Sequence, residues 1–146
     1  MQSPGAAAMR RLGFLVSLVS QLFAANAPAA VSVVDDRGAV LRRDLPAQRV
    51  IALAPHLTEL VFAAGAGDRL VARVRDSDFP PEARAVVEVG DAAGLDFERI
   101  VALQPDLVLA WGSGNRRVDV QRLERLGLAV VVLEPRRFLP IVEKVY

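Results

Sequence analysis

Leu95-Asp96-Phe97-Glu98-Arg99-Ile100-Val101-Ala102-Leu103-Gln104-Pro105-Asp106-Leu107-Val108-Leu109-Ala110-Trp111 reads as one helix, one turn and one buried strand. Asp96 is placed to cap the helix, its carboxylate accepting from the free N–H groups of the first turn. Leu95 before the cap and Ile100 at the fourth helical position make a hydrophobic staple. Phe97, Ile100, Val101 and Gln104 are expected on one helix face, mostly apolar. Pro105 cannot continue the helix, and Pro105-Asp106 makes the turn. Leu107 to Trp111 is an unbroken apolar run, as a parallel strand covered on both faces requires. Gly112-Ser113-Gly114-Asn115 then opens a loop. In open parallel α/β sheets ligands bind just outside the carboxyl ends of the strands, so the single Trp of the chain stands where a ligand is expected.

Outward from this unit the pattern repeats. Val31 to Asp35, a turn at Asp36-Arg37-Gly38 and Ala39 to Arg43 predict an edge hairpin. Arg49 to Ala54 is the first buried strand, followed by Pro55-His56 and a helix from Leu57 to Ala64 on the apolar positions Leu57, Leu60, Val61 and Ala64. Gly65 and Gly67 stop it. Leu70 to Val74 is the next strand. Asp76 to Pro81 is a loop running into a short helical piece, Glu82 to Ala85; Val86 to Val89 is a short strand and Gly90 to Gly94 a further loop. After Trp111 come a charged amphipathic helix, Val118 to Leu126, closed by Gly127, and the β-rich run Ala129 to Leu133. Phe138 to Tyr146 reads as the start of another helix. Alternating β and α with apolar strands predicts an α/β fold with a doubly wound parallel sheet.

Residues 1–30 read differently. Arg10-Arg11 is a positive leader, Leu12 to Ala25 a short apolar run, and Ala25-Asn26-Ala27 and Ala27-Pro28-Ala29 are small-x-small cleavage sites, so a secretory signal peptide is expected. The alternative is a membrane anchor or a buried N-terminal helix. No Cys follows the run to accept a lipid. An exported protein free of disulfides is expected in a Gram-negative periplasm, and not in the membrane once the signal is cleaved.

In 146 residues, 53% are hydrophobic and 24% charged, which is enough apolar material for one domain with a core. A formal net charge of +1 gives no case for nucleic acid. The absence of Cys excludes thiolate chemistry, and a single His excludes a multi-histidine metal site in this chain. Pro55-His56 stands where a dinucleotide fold carries Gly-x-Gly-x-x-Gly, and no Walker loop is present. Gly112-Ser113-Gly114 fails the Gly-x-Ser-x-Gly spacing of a nucleophile elbow. No catalytic residue, metal or cofactor is therefore assigned. His56, at a strand's carboxyl end and a helix start, is either a lining residue or a solvated loop residue. Trp111 is either a rim aromatic over the core or a contact for a flat ligand. Glu98 is at least a first-turn acid favoured by the helix dipole. On these grounds the chain is an exported α/β binding domain, with a small exported α/β enzyme as the reading of another class.

Arg49-Val50-Ile51-Ala52-Leu53-Ala54-Pro55-His56-Leu57-Thr58-Glu59-Leu60 resembles the opening strand and helix of the periplasmic binding proteins for cobalamin and iron chelates, the capture subunits of ABC importers. Asp78-Phe79-Pro80-Pro81-Glu82-Ala83, then Phe97 to Trp111, then Gly114-Asn115 look like the cobalamin (vitamin B12) branch, and the likeness runs over nearly all of the chain after residue 30. The resemblance implies a Rossmann-like N-terminal lobe over 31–137, the first of two lobes clasping a flat ligand, with 138–146 opening the helix that joins them. It implies a corrinoid ligand, or an iron siderophore or haem in the sister branches, and as partners the ABC transporter permease and its ATPase, the protein itself being a monomer. Trp111 matches an aromatic that packs on cobalamin. Glu98 matches a glutamate that pairs with permease arginines. Asp76 and Ala92 stand where the branch can carry a tyrosine and a tryptophan, and with His56 they complete the ligand-lining set.

Overall fold

The computed structural model describes residues 30–91 and 93–134. Ala92, the expected helix over 138–146 and all but the last residue of the expected signal segment lie outside them.

β1 (Val31–Val34) and β2 (Val40–Arg43) form the expected antiparallel hairpin, with Val34 opposite Val40. Its turn is built by Asp35, whose carboxylate accepts from Arg37 N at 2.9 Å and Ala39 N at 2.8 Å. β3 (Val50–Ala52) is wholly buried. α1 (Pro55–Ala63) begins on a proline, which suits the first turn because its missing N–H would have no partner there. Its inward residues are Leu57, Thr58 and Val61, whereas Leu60 is exposed. Gly65, at φ +73, supplies the left-handed exit that the sequence predicts.

β4 (Leu70–Arg73) and β5 (Val87–Glu88) follow, joined by a loop and a 3₁₀ turn at Pro81–Ala85. Arg73 is buried, and its guanidinium donates to Ala83 O at 3.0 Å and Val74 O at 3.1 Å, pinning that turn to the sheet. Where a plain loop is expected, β6 (Gly90–Asp91) and β7 (Gly94–Leu95) pair as a two-residue antiparallel ladder. Gly90 makes this possible: at φ +120, a Cβ on it would lie 2.3 Å from Gly94 O.

α2 (Phe97–Ala102) is capped as expected, Asp96 Oδ1 accepting from Arg99 N at 2.9 Å. The face it buries differs from expectation. Phe97, Ile100 and Leu103 enter the core; Val101 and Gln104 face solvent. The helix stops at Ala102 ahead of Pro105, and Gln104 takes a left-handed φ of 47°, so the residue four along never completes the helical spacing. β8 (Leu107–Trp111), α3 (Arg117–Arg125) and β9 (Val130–Leu133) then fall where the sequence places them.

The strands order β5-β4-β3-β8-β9, every neighbouring pair parallel. Alternate side chains build two cores. Ile51, Leu53, Ala72, Val108, Ala110 and Val132 pack with Ile100, Val120 and Leu123 of α2 and α3; Val50, Ala52 and Leu70 pack with Leu57 and Val61 of α1. Helices therefore cover both faces, which is the expected doubly wound arrangement. The hairpin is moored at the far edge: Val132 N donates to Asp35 Oδ2 at 3.3 Å and Asp36 N to Val132 O at 3.0 Å. Burial works to raise the Asp35 carboxyl, but the hydrogen bonds from Ala39, Arg37 and Val132 outweigh it and hold the group below its ordinary range.

Candidate ligand-binding cleft

β3 and β8 are neighbours whose onward connections leave in opposite directions, α1 to one face of the sheet and α3 to the other. Such a switch point leaves a crevice beyond the strand ends. Here it holds a cleft of about 420 Å³. Leu53, Ala54 and Pro55 come to it from the end of β3, Arg75 and Asp76 from the end of β4, Asp91 from β6, and Trp111 from the end of β8.

Trp111 is half-buried, with both its backbone and its ring held. Its backbone N–H donates to Asn115 Oδ1 at 2.6 Å, and Asn115 Nδ2 donates to Leu53 O at 2.9 Å, so one side chain ties the end of β8 to the end of β3. Its indole Nε1–H donates to Glu134 Oε1 at 3.4 Å, an oxygen that also accepts from Ser113 Oγ at 3.2 Å. His56, half-buried, meets the indole edge-on, with ring centroids 5.0 Å apart at 87°. Gly114 lies under the ring: a Cβ there would stand 1.8 Å from Trp111 Cε3. The loop glycine thus serves close approach rather than an unusual φ.

The rim is charged. Arg75 Nη1 pairs with Asp91 Oδ2 at 2.8 Å, and its Nε with Glu88 Oε1 at 3.4 Å. Asp91 Oδ1 accepts from Ala93 N at 2.8 Å and Gly94 N at 3.2 Å; these bonds, with the Arg75 charge, hold its carboxyl below the usual range. Asp76 is exposed at φ +63, a conformation that aspartate tolerates better than most residues.

Trp111 and Asp76 therefore line one cleft, with His56 buttressing the indole. The neighbours of Ala92, Asp91 and Ala93, line it too. Glu98 stands apart, exposed in the first turn of α2 with no ion pair among the described residues. Because α2 runs back against the parallel strands, its N-terminus lies at their carboxyl ends, the same side as the cleft. Arg75, Asp91, Asn115 and Glu134 are site residues that the sequence reading missed. Each lies within a few residues of a strand's carboxyl end, the one signal that marked them. Among the described residues no three His, Cys, Asp or Glu side chains gather to hold a metal ion. His56 Nε2 is buried without a hydrogen-bond partner among the described residues. The arrangement offers a flat apolar floor with a charged rim, which is suited to holding a planar ligand.

The family described as periplasmic binding protein matches residues 50–146. A vitamin B12-binding protein of Vibrio campbellii is 47% identical over 85 residues, covering 58% of this chain and 31% of that protein. One from Pectobacterium carotovorum subsp. carotovorum is 45% identical over 89 residues, covering 61% and 32%. The crystal structure of the periplasmic vitamin B12 binding protein BtuF of Vibrio cholerae matches with a TM-score of 0.58 at 42% identity, over 60% of this chain and 34% of that one. A periplasmic heme binding protein from Pseudomonas aeruginosa matches with a TM-score of 0.57 at 27% identity, over 61% and 32%. The chain spans about a third of the length of the curated relatives it matches.

Proposed function

We propose, from the premise that the chain belongs to the periplasmic binding protein family, that it captures cobalamin or a related corrinoid in a Gram-negative periplasm for delivery to an ABC importer. In this reading residues 1–30 are an export signal, 31–137 the N-terminal lobe, and 138–146 the start of the helix to a second lobe. The protein acts as a monomer, by binding and without chemistry. The observation that carries the reading is the seat of Trp111: a single indole, fixed by Asn115, Glu134, Gly114 and His56, on the floor of the cleft at the β3–β8 switch point. A corrin ring is flat and broadly apolar, and packs on such a floor. Asp76 stands at the rim.

Fluorescence of the one tryptophan tests this. Cyanocobalamin, corrected for its own absorbance, is expected to quench it saturably. A nanomolar site is worth about −12 kcal/mol; one lobe supplying half the contacts gives about −6 kcal/mol, a midpoint in the tens of micromolar. Haem and a ferric siderophore, titrated alongside, decide the ligand class. Quenching by either in preference to cyanocobalamin removes the corrinoid assignment.

Glu98 is proposed to dock on the permease. A carboxylate at a helix N-terminus, exposed and unpaired among the described residues, is free to meet a basic partner. In the assembled importer Glu98→Arg is expected to abolish cobalamin uptake while leaving the quench unchanged. Uptake at the unsubstituted rate removes the docking role.

A further inference from the structure

The cleft has an apolar floor and a rim whose charges do not cancel. Its one cationic lining residue among those described, Arg75, is already shared between Asp91 at 2.8 Å and Glu88 at 3.4 Å. Asp91 is in turn satisfied by Arg75 and by two backbone N–H groups. Asp76 is exposed and makes no hydrogen bond or ion pair among the described residues. A further carboxylate, Glu134, stands against the indole N–H at 3.4 Å. The lining thus carries one guanidinium against two carboxylates, with the free charge on Asp76.

We infer that Asp76 is a specificity-determining residue: it selects against ligands with carboxylates at their rim and accepts ligands with amides there. This rests on the corrinoid reading and names the residue that sharpens it. The chemistry is that of donors and acceptors. A primary amide offers Asp76 an N–H donor and meets Arg75 with its carbonyl oxygen. A carboxylate offers Asp76 only another negative charge and finds no unshared cation to balance it. The periphery of cobalamin is rich in amides, whereas haem carries two propionates. The position where the cobalamin branch can carry a tyrosine becomes a filter for charge.

The test uses the full chain, Trp111 quenching, and three probes: cyanocobalamin, the same corrinoid with one peripheral amide hydrolysed to carboxylate, and haem. Asparagine also tolerates the left-handed φ, so Asp76→Asn removes the charge and keeps the turn. The parent chain is expected to bind cyanocobalamin more tightly than its carboxylate form. Asp76→Asn is expected to tighten the carboxylate form about fivefold, the factor for two unit charges about 4 Å apart in a water-like dielectric, and to change cyanocobalamin by less than about twofold. Added salt should narrow the same gap in the parent chain. An unchanged ratio between the two corrinoids in Asp76→Asn overturns the filter and leaves the corrinoid reading standing. Binding of haem but not cyanocobalamin, or quenching by no probe, overturns both.

Discussion

Gly114→Ala is expected to weaken cyanocobalamin binding by at least about tenfold, about 1.4 kcal/mol, while the lobe remains folded. The added methyl would lie 1.8 Å from Trp111 Cε3 and 2.4 Å from Cδ2, far inside contact distance, so the indole must move. It cannot slide freely: Glu134 holds its Nε1 and His56 packs against the ring in a T-shaped contact. The ring is therefore displaced from the floor of the cleft, and the surface offered to a planar ligand changes with it. Overpacking of this kind typically costs about 1–3 kcal/mol of stability. Near-ultraviolet circular dichroism should report the altered indole environment while the far-ultraviolet spectrum stays that of the parent. Ser113→Ala, one residue away, deletes only an exposed hydroxyl's bond to Glu134 and should leave the titration unchanged. Equal binding by Gly114→Ala and the parent chain would show that Trp111 does not form the floor of the site.

Ile100→Ala is expected to destabilise the lobe by about 3 kcal/mol, and Val101→Ala by less than about 0.5 kcal/mol. Ile100 is fully buried, inside the cluster that joins α2 to Ile51, Val108 and Leu123, so truncation loses its burial and leaves a cavity. Val101 is 44% exposed and truncation there empties nothing. Urea denaturation followed by circular dichroism separates the two, since a fall of 3 kcal/mol moves the midpoint by 1 M or more at the usual urea slope of about 1–3 kcal/mol/M. Comparable losses from both substitutions would contradict the orientation of α2.

That pair of neighbours shows where sequence is readable and where it is not. The cap at Asp96, the proline stop and the strand to Trp111 are local events, each set by residues within a few positions, and all three form as read. The rotation of α2 is not local. Helical spacing alone admits Val101 and Gln104 on the inner face. The six-residue helix ends ahead of Pro105, short of Gln104, and turns Val101 to solvent, while Leu103 packs into the core. The same limit governs the site. Trp111 was legible because strand ends can be found from apolar runs and the turns that follow, and Asp76 because of the family resemblance of the segment it opens. Arg75, Asp91, Asn115 and Glu134 were not, because what makes them matter is a partner across the sheet: Asn115 reaches Leu53, and Glu134 reaches the indole. The β6–β7 ladder went unread because its glycines look like loop, and only the approach of Gly90 to Gly94 O shows them pairing.

The strand order also dictates when the sheet can close. Val50 of β3 pairs with Leu70 on one side and with Leu107 on the other, spans of 20 and 57 residues. β8 finds β9 locally, Val108 opposite Val130 across 22 residues. Closing the longer loop is harder by about 0.9 kcal/mol, from the logarithmic growth of loop entropy with length. Two local βαβ units, β3-α1-β4 and β8-α3-β9, are thus the fast-forming pieces, and their joining along β3–β8 is the slow, non-local event. The cleft stands over that seam. Asn115 stitches it by spanning from the end of β8 to Leu53, and a ligand lying on Trp111 and Pro55 would span it again, so that the longest-range pairing within the five-stranded sheet is the one a bound ligand would reinforce.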